Sequence, residues 1–314
     1  MERTQSSVIT YSQKILAQVR KAVVGKDEVL LWVLAAILSK GHILLEDIPG
    51  VGKTTMALAF SRALGLSYNR VQFNPDVLPS DVTGYSVLEQ SSGNMVYKPG
   101  AVLCNLFLAD ELNRATSRTQ SALLEAMEEG QVTVDGTSHR LPEPFTVIAT
   151  QNPAGAAGTQ LLPDSQIDRF MIRLSLGYPE PKDEVTMVLT RQNGDPLKQV
   201  EPVVDAVTLA QLQQQVAQTH VAPEIAEYVV KLIDATRRSD TLIRGGSPRA
   251  TLAVIGLAKA VAQLRGRDYV VPKDVQEVFL HTLAHRVQPA PGQDAPAHQL
   301  LSDLVHKVRP PKLR

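Results

Sequence analysis

Ile48-Pro49-Gly50-Val51-Gly52-Lys53-Thr54-Thr55 follows the apolar run Ile43-Leu44-Leu45, and the reading of this juncture decides the fold. A short apolar strand that breaks into a glycine-containing loop and restarts as a helix is built to hold a nucleoside triphosphate. Gly50 and Gly52 let the backbone turn tightly, so successive N–H groups of Ile48 to Thr55 converge on phosphate oxygens. The helix starting near Gly52 adds the partial positive charge of its N-terminus. Lys53 is placed to reach the β- and γ-phosphates, and the Thr54 hydroxyl to ligate magnesium. The full pattern G-x-x-x-x-G-K-[ST] asks for glycine at position 47, where this chain has Asp47.

Outward from the loop, strand candidates recur at His42–Leu45, Arg70–Phe73, Leu106–Ala109, Phe145–Ala149 and Met171–Leu174. Each is a short apolar run, as parallel strands covered on both faces require. Helices fall between them, most clearly Lys53–Leu64 and a segment near Arg118 with Ser117 as N-cap and Gly130 as its stop. The pattern is α/β, a doubly wound parallel sheet. Two hairpin signals interrupt it, Tyr85–Tyr97 around Ser92-Gly93-Asn94 and Gln131–Leu141 around Asp135-Gly136. Such insertions are either surface excursions or contact arms for a substrate or partner, and the pattern favours neither.

Pro179, Pro181 and Lys182-Asp183-Glu184 mark a boundary, beyond which strand signals nearly vanish. Thr208-x-x-Gln211 reads as a capping box, and Ala222-Pro223-Glu224, Ser247-Pro248 and Val271-Pro272 each open a helix. Pro289–Pro296 reads as a loop before a last short helix and a basic tail, Lys307–Arg314. The expected division is an α/β core over 1–180 and a small all-helical lid domain over 181–314.

The 32 basic and 32 acidic residues cancel, so there is no global basic field and nucleic acid is not the expected partner. Cys104 is the single cysteine and reads as a core residue rather than a catalytic one. Met1–Gln13 is polar, without the apolar segment of a signal peptide, and Val29–Leu38 is too short to span a bilayer. These features predict a soluble, cytoplasmic protein. His281 and His285 have metal-ligand spacing on one helix, but no glutamate follows His281 and no third ligand is apparent.

The chemistry needs a second element, and Asn105-Leu106-Phe107-Leu108-Ala109-Asp110-Glu111 supplies it. An apolar strand ending in Asp-Glu puts two carboxylates at the carboxyl edge of the sheet, beside the phosphate loop. Asp110 is placed to hold magnesium and Glu111 to polarise the attacking water. Asn152, directly after the next strand, is placed to bond the γ-phosphate and that water. Arg249 lies in the first turn of a helix capped by Ser247, where a positive charge opposes the dipole. An anion nearby would explain it; a solvated surface arginine is the alternative.

These residues resemble the AAA+ superfamily and, within it, the MoxR family of ATPases. Leu45-Glu46-Asp47-Ile48-Pro49-Gly50-Val51-Gly52-Lys53-Thr54 is similar to the MoxR phosphate loop, in which acidic residues stand where the first glycine would be. Gln72–Gly84, Leu108–Ala115 and Gln120–Glu129 are equally similar, and the resemblance covers nearly the whole chain. It implies that Val23-Val24-Gly25 lines an adenine pocket and that Asn152 is the first sensor. It implies further that Arg169, within Leu162–Phe170, is an arginine finger, with Arg114 and Arg118 as rivals, and that Arg249 is the second sensor on the lid. ATP is then expected between core and lid, with Mg2+ as cofactor. The hairpins correspond to the helix-2 insert and the hairpin before the first sensor. The implied activity is ATP hydrolysis by a homo-oligomeric ring, a hexamer, that remodels client proteins with von Willebrand factor A domain partners. A nucleic-acid motor and a magnesium-chelatase motor subunit share much of this pattern and stand as alternatives.

Overall fold

The computed structural model describes residues 7–91, 93–152, 162–192 and 194–312. Ser92 of the first predicted turn, Pro153, the first six residues and the last two lie outside the described residues. Two helices, α1 (Ser7–Val19) and α2 (Asp27–Leu38), precede β1 (Ile43–Glu46), α3 (Lys53–Ala63) and β2 (Tyr68–Gln72). A short α4 (Pro79–Thr83) leads into the hairpin β3 (Gly84–Leu88) and β4 (Met95–Pro99). Then come β5 (Leu106–Asp110), α5 (Ser117–Glu129), a second hairpin of β6 (Gln131–Val134) and β7 (Thr137–Arg140), and β8 (Thr146–Gln151). A turn of helix, α6 (Asp164–Ile167), precedes β9 (Ile172–Leu174) and α7 (Pro181–Gln192).

All five predicted apolar runs form strands of one parallel sheet, in the order β2-β5-β8-β1-β9. β1, between β8 and β9, and β5, between β2 and β8, have no exposed edge. Every residue of β5 and β8 is buried, which is why both read as unbroken apolar or small-residue runs. Because the strands are parallel, their carboxyl ends share one edge, and the residues directly after β1 and β5, with Asn152 after β8, meet there.

The remaining elements are α8 (Ala206–Ala217), α9 (Pro223–Arg237), β10 (Leu242–Arg244), α10 (Pro248–Leu264), α11 (Pro272–Leu283), β11 (Gln288–Pro289) and α12 (Ala297–Lys307). The three proline-marked helix starts fall as the sequence predicts. The antiparallel pair β10–β11 was not visible in it, being two very short strands far apart in the chain. Two caps differ from expectation. Thr116, not Ser117, caps α5 by accepting from the Thr119 N–H, and Asp205, not Thr208, caps α8. In both cases the side chain with extended backbone is the one free to turn back onto the helix.

One hydrophobic cluster runs from α1, α2 and α3 across one sheet face into α8–α12, so the helical part is not an appendage. A second covers the opposite face under α5 and the hairpins, and includes Cys104. Burial pushes the Cys104 thiol up to about 12. The hairpins touch each other: the Tyr97 ring stacks on His139 with centroids 3.7 Å apart, and the Tyr97 hydroxyl donates to the Thr83 carbonyl at 2.5 Å.

Candidate functional site

A cavity of about 1220 Å3 opens at the carboxyl edge of the sheet. Pro49 to Thr55 form its floor, Asp110 and Glu111 one wall, Val23 and Val24 another, and α7 arches over it through Glu184, Met187, Val188 and Arg191. The phosphate loop turns on Gly50 and Gly52, at φ +87° and +97°, a left-handed conformation that residues with a Cβ rarely adopt. Gly52 begins α3 without any side-chain cap, so the first-turn N–H groups remain for a ligand. The Lys53 ammonium donates to the carbonyls of Asp47 at 2.9 Å and Ile48 at 3.1 Å. Burial pulls its pKa below the ordinary lysine value, opposed by the charges of Asp47, Asp110 and Glu111.

Asp47 is not where a phosphate ligand would be. Its carboxylate accepts from the Ser175 hydroxyl at 2.7 Å, the Leu176 N–H at 2.6 Å and the Gly177 N–H at 3.0 Å. The side chain is therefore spent as a brace between the phosphate loop and the segment after β9. The sequence pattern put Asp47 among the nucleotide-binding residues, but it does not line the cavity, and its carbonyl is held by Lys53.

Asp110 accepts from the Thr150 hydroxyl at 2.6 Å and from two nitrogens of Arg70, at 2.7 and 3.2 Å. Thr150 also accepts the Glu111 N–H at 2.8 Å, so one hydroxyl ties both acidic residues to β8. Glu111 stands at φ +56°, a strained conformation for a non-glycine residue. Its carboxylate receives the Asn152 amide at 3.3 Å and pairs with Arg114 at 3.0 Å. Asn152 is itself set by Asn113, which donates to its carbonyl at 3.2 Å and accepts its N–H at 3.3 Å. The Asn152 Oδ1 is buried and, among the described residues, without a partner. Thr54 and Asp110 line the same cavity, and their hydroxyl and carboxylate oxygens suit a hard divalent cation held mainly by phosphate and water.

Sequence reasoning missed Arg70, Asn113 and Thr150. Arg70 had a signal, a charge within a strand otherwise read as apolar. Arg114 is paired to its own Glu111, and Arg118, exposed in the first turn of α5, does not line the cavity.

Arg169 and Arg249 are elsewhere. Both pair with Glu128, Arg169 at 2.9 Å on one carboxylate oxygen and Arg249 on the other. Arg169 precedes β9 and Glu128 ends α5, so this group lies at the amino edge of the sheet. About 13 Å of β1 separates that edge from the phosphate loop. Arg249 was expected over its own nucleotide with the lid; it does not line the cavity, and of the helical part only α7 and the 194–197 turn do so. The reason is tertiary: α10 begins beside Asp168, whose carboxylate accepts from Ser247 at 2.9 and 3.1 Å. The His281 ring lies against Trp32, tilted by 44° with centroids 4.4 Å apart, and the buried His285 bonds the Phe170 carbonyl at 3.0 Å. Among the described residues no group of three or more metal-ligating side chains occurs, and no helix is long and apolar enough to cross a membrane.

Two family models match, "ATPase family associated with various cellular activities (AAA)" over residues 42–172 and "AAA lid domain" over 234–304. The chain is 41% identical over 304 residues to YeaC of Bacillus subtilis, covering 96% of this chain and 95% of that protein. It is 38% identical over 284 residues to Chaperone MoxR1 of Mycobacterium tuberculosis, covering 88% and 75%. A crystal structure from Cytophaga hutchinsonii superposes with a TM-score of 0.89 at 33% identity, covering 97% of each chain.

Proposed function

The chain belongs to the MoxR family of AAA+ ATPases, and from that membership we propose that it hydrolyses Mg-ATP between neighbouring copies of a homo-oligomeric ring. One observation carries the proposal: the phosphate loop and Glu111 occupy one edge of the sheet, Arg169 and Arg249 the other. Arginines that cannot reach their own phosphates are placed to reach those of the next copy.

ATP lies with its phosphates on Pro49–Thr55 and its base against Val23 and Val24. Thr54 and Asp110 would hold magnesium, which would supply positive charge to offset that of the phosphates. Glu111 accepts a proton from the attacking water, whose oxygen bonds the γ-phosphorus as the bond to the β-phosphate oxygen breaks. Asn152 orients that water through its Oδ1 and steadies Glu111 through its amide. Arg169 and Arg249 of the neighbour meet the developing charge.

The ring is proposed to be a hexamer of two units per copy, 1–180 and 181–314, working in the cytoplasm. Its role is the remodelling or maturation of client proteins, with partners carrying von Willebrand factor A domains. The relative named Chaperone MoxR1 supports the chaperone reading, and zero formal net charge disfavours a nucleic-acid motor.

The test is turnover per protomer against protein concentration. Turnover should rise as rings form, and Arg169→Ala should lower it by roughly a thousandfold or more. Mixing Arg169→Ala with Glu111→Gln should restore activity, because each intact half comes from a different copy. Full turnover by a dilute monomer would refute the reading.

A further inference from the structure

The Arg286 side chain is 2% exposed, just beyond the end of α11, and faces the segment that carries Arg169. Its Nη2 donates to the carbonyls of Asp168 at 2.9 Å and Phe170 at 2.8 Å. Its Nη1 donates to the carbonyls of Thr282 at 3.1 Å and Met171 at 3.4 Å. Its Nε lies 2.9 Å from the Asp168 carboxylate. One planar guanidinium thus holds the backbone on both sides of Arg169. Lysine, a point charge without a fork of donors, could not address so many carbonyls in fixed directions.

The same carboxylate of Asp168 accepts from Ser247, and Ser247 caps α10 by accepting from the Ala250 N–H at 3.1 Å. Arg249 lies in that first turn. The start of α10, the Asp168–Met171 segment and Arg286 beyond α11 are therefore joined at one carboxylate, that of Asp168. A buried pair adds little net stability, because desolvation offsets the attraction. What it supplies is a fixed distance between two elements.

We propose that Arg286 is the positioning residue of the arginine face, holding Asp168 so that Arg169 and Arg249 are presented together to a neighbouring copy's phosphates. The proposal rests on the reading that these two arginines act in trans. Arg286 touches no substrate; it acts through the backbone of 168–171 and the cap of α10.

The test separates this role from a merely structural one. Arg286→Met is mixed with Glu111→Gln, beside the control mixture of Arg169→Ala with Glu111→Gln. The expected result is an Arg286→Met ring that binds a fluorescent ATP analogue with wild-type affinity but turns over roughly tenfold to a hundredfold slower. Turnover should return on mixing, since Glu111→Gln copies supply an intact arginine face. Unchanged turnover overturns the proposal. So does a loss that mixing leaves uncorrected while the control mixture recovers, which would make Arg286 structural only. Failure of both mixtures would instead reject action in trans, and the proposal with it. If Arg286→Met does not assemble, the near-isosteric Asp168→Asn, which weakens the same junction, is scored by the same outcomes.

Discussion

Arg70 holds Asp110 by two nitrogens on one carboxylate oxygen, at 2.7 and 3.2 Å. A charge-assisted pair of this kind is strong when buried, but the Arg70 side chain is 42% exposed, and solvent reduces its worth to about 1 kcal/mol or less. On the role proposed for Asp110, Arg70 would compete for the carboxylate that holds the cation.

Arg70→Gln is expected to lower the magnesium concentration for half-maximal binding of a fluorescent ATP analogue, by up to about fivefold on that energy. A midpoint that stayed put or rose would show that Arg70 presents Asp110 rather than competing for it.

Asp47→Ala leaves the buried Leu176 N–H and the half-buried Gly177 N–H without their acceptor. A buried stranded donor costs about 1–3 kcal/mol and the half-buried one less, so urea unfolding should show a loss of about 1–4 kcal/mol. Asp47→Gly, which restores the general phosphate-loop pattern, should lose as much. Retained stability in the glycine variant would contradict the bracing role.

His42 is wired for its neutral form. Its Nδ1 accepts the Val147 N–H at 3.0 Å, and its Nε2 faces the Met127 carbonyl at 3.2 Å. Burial pulls its pKa from 6.5 to about 4, against the Met127 hydrogen bond. The folded-state pKa lies below the unfolded one, so unfolding takes up a proton as the pH drops through 6.5. This contribution to stability is complete above pH 6.5 and is lost as the pH falls towards 4, by at most about 3 kcal/mol. His42→Gln should flatten that part of a pH–stability curve measured by denaturant titration; an unchanged slope would assign it to other groups.

Cys104 should resist an aromatic disulfide reagent at pH 8 in the folded protein, since its thiol is buried and pushed up to about 12. Thiolate is the reactive form, so labelling should appear with unfolding and track it. Rapid labelling of folded protein would mean that the β5 region opens locally.

Local signals carried much of this fold. β1, β5, β8 and β9 announced themselves as apolar runs between turn signals, whereas β2, an edge strand, is largely exposed rather than covered on both faces; the starts of α9, α10 and α11 were legible because proline suits a first helical turn. Asp110, Glu111 and Asn152 were legible from their positions at strand ends, where one edge gathers them. The meaning of Asp47 was not, because its partners are some 130 residues away. The Arg169–Glu128–Arg249 group was hidden for the same reason: which sheet edge receives α10 depends on packing between distant helices. Arg286 looked like one more charge near a helix end, and its burial among carbonyls leaves no periodic trace.

The stack of Tyr97 on His139 makes positions 97 and 139 a matched pair. Neither ring can shrink without leaving the other uncovered, so an aromatic lost at one position calls for a compensating change at its mate. Each hairpin thereby inherits the constraints of the other, and the two would diverge across evolution as a single inherited part.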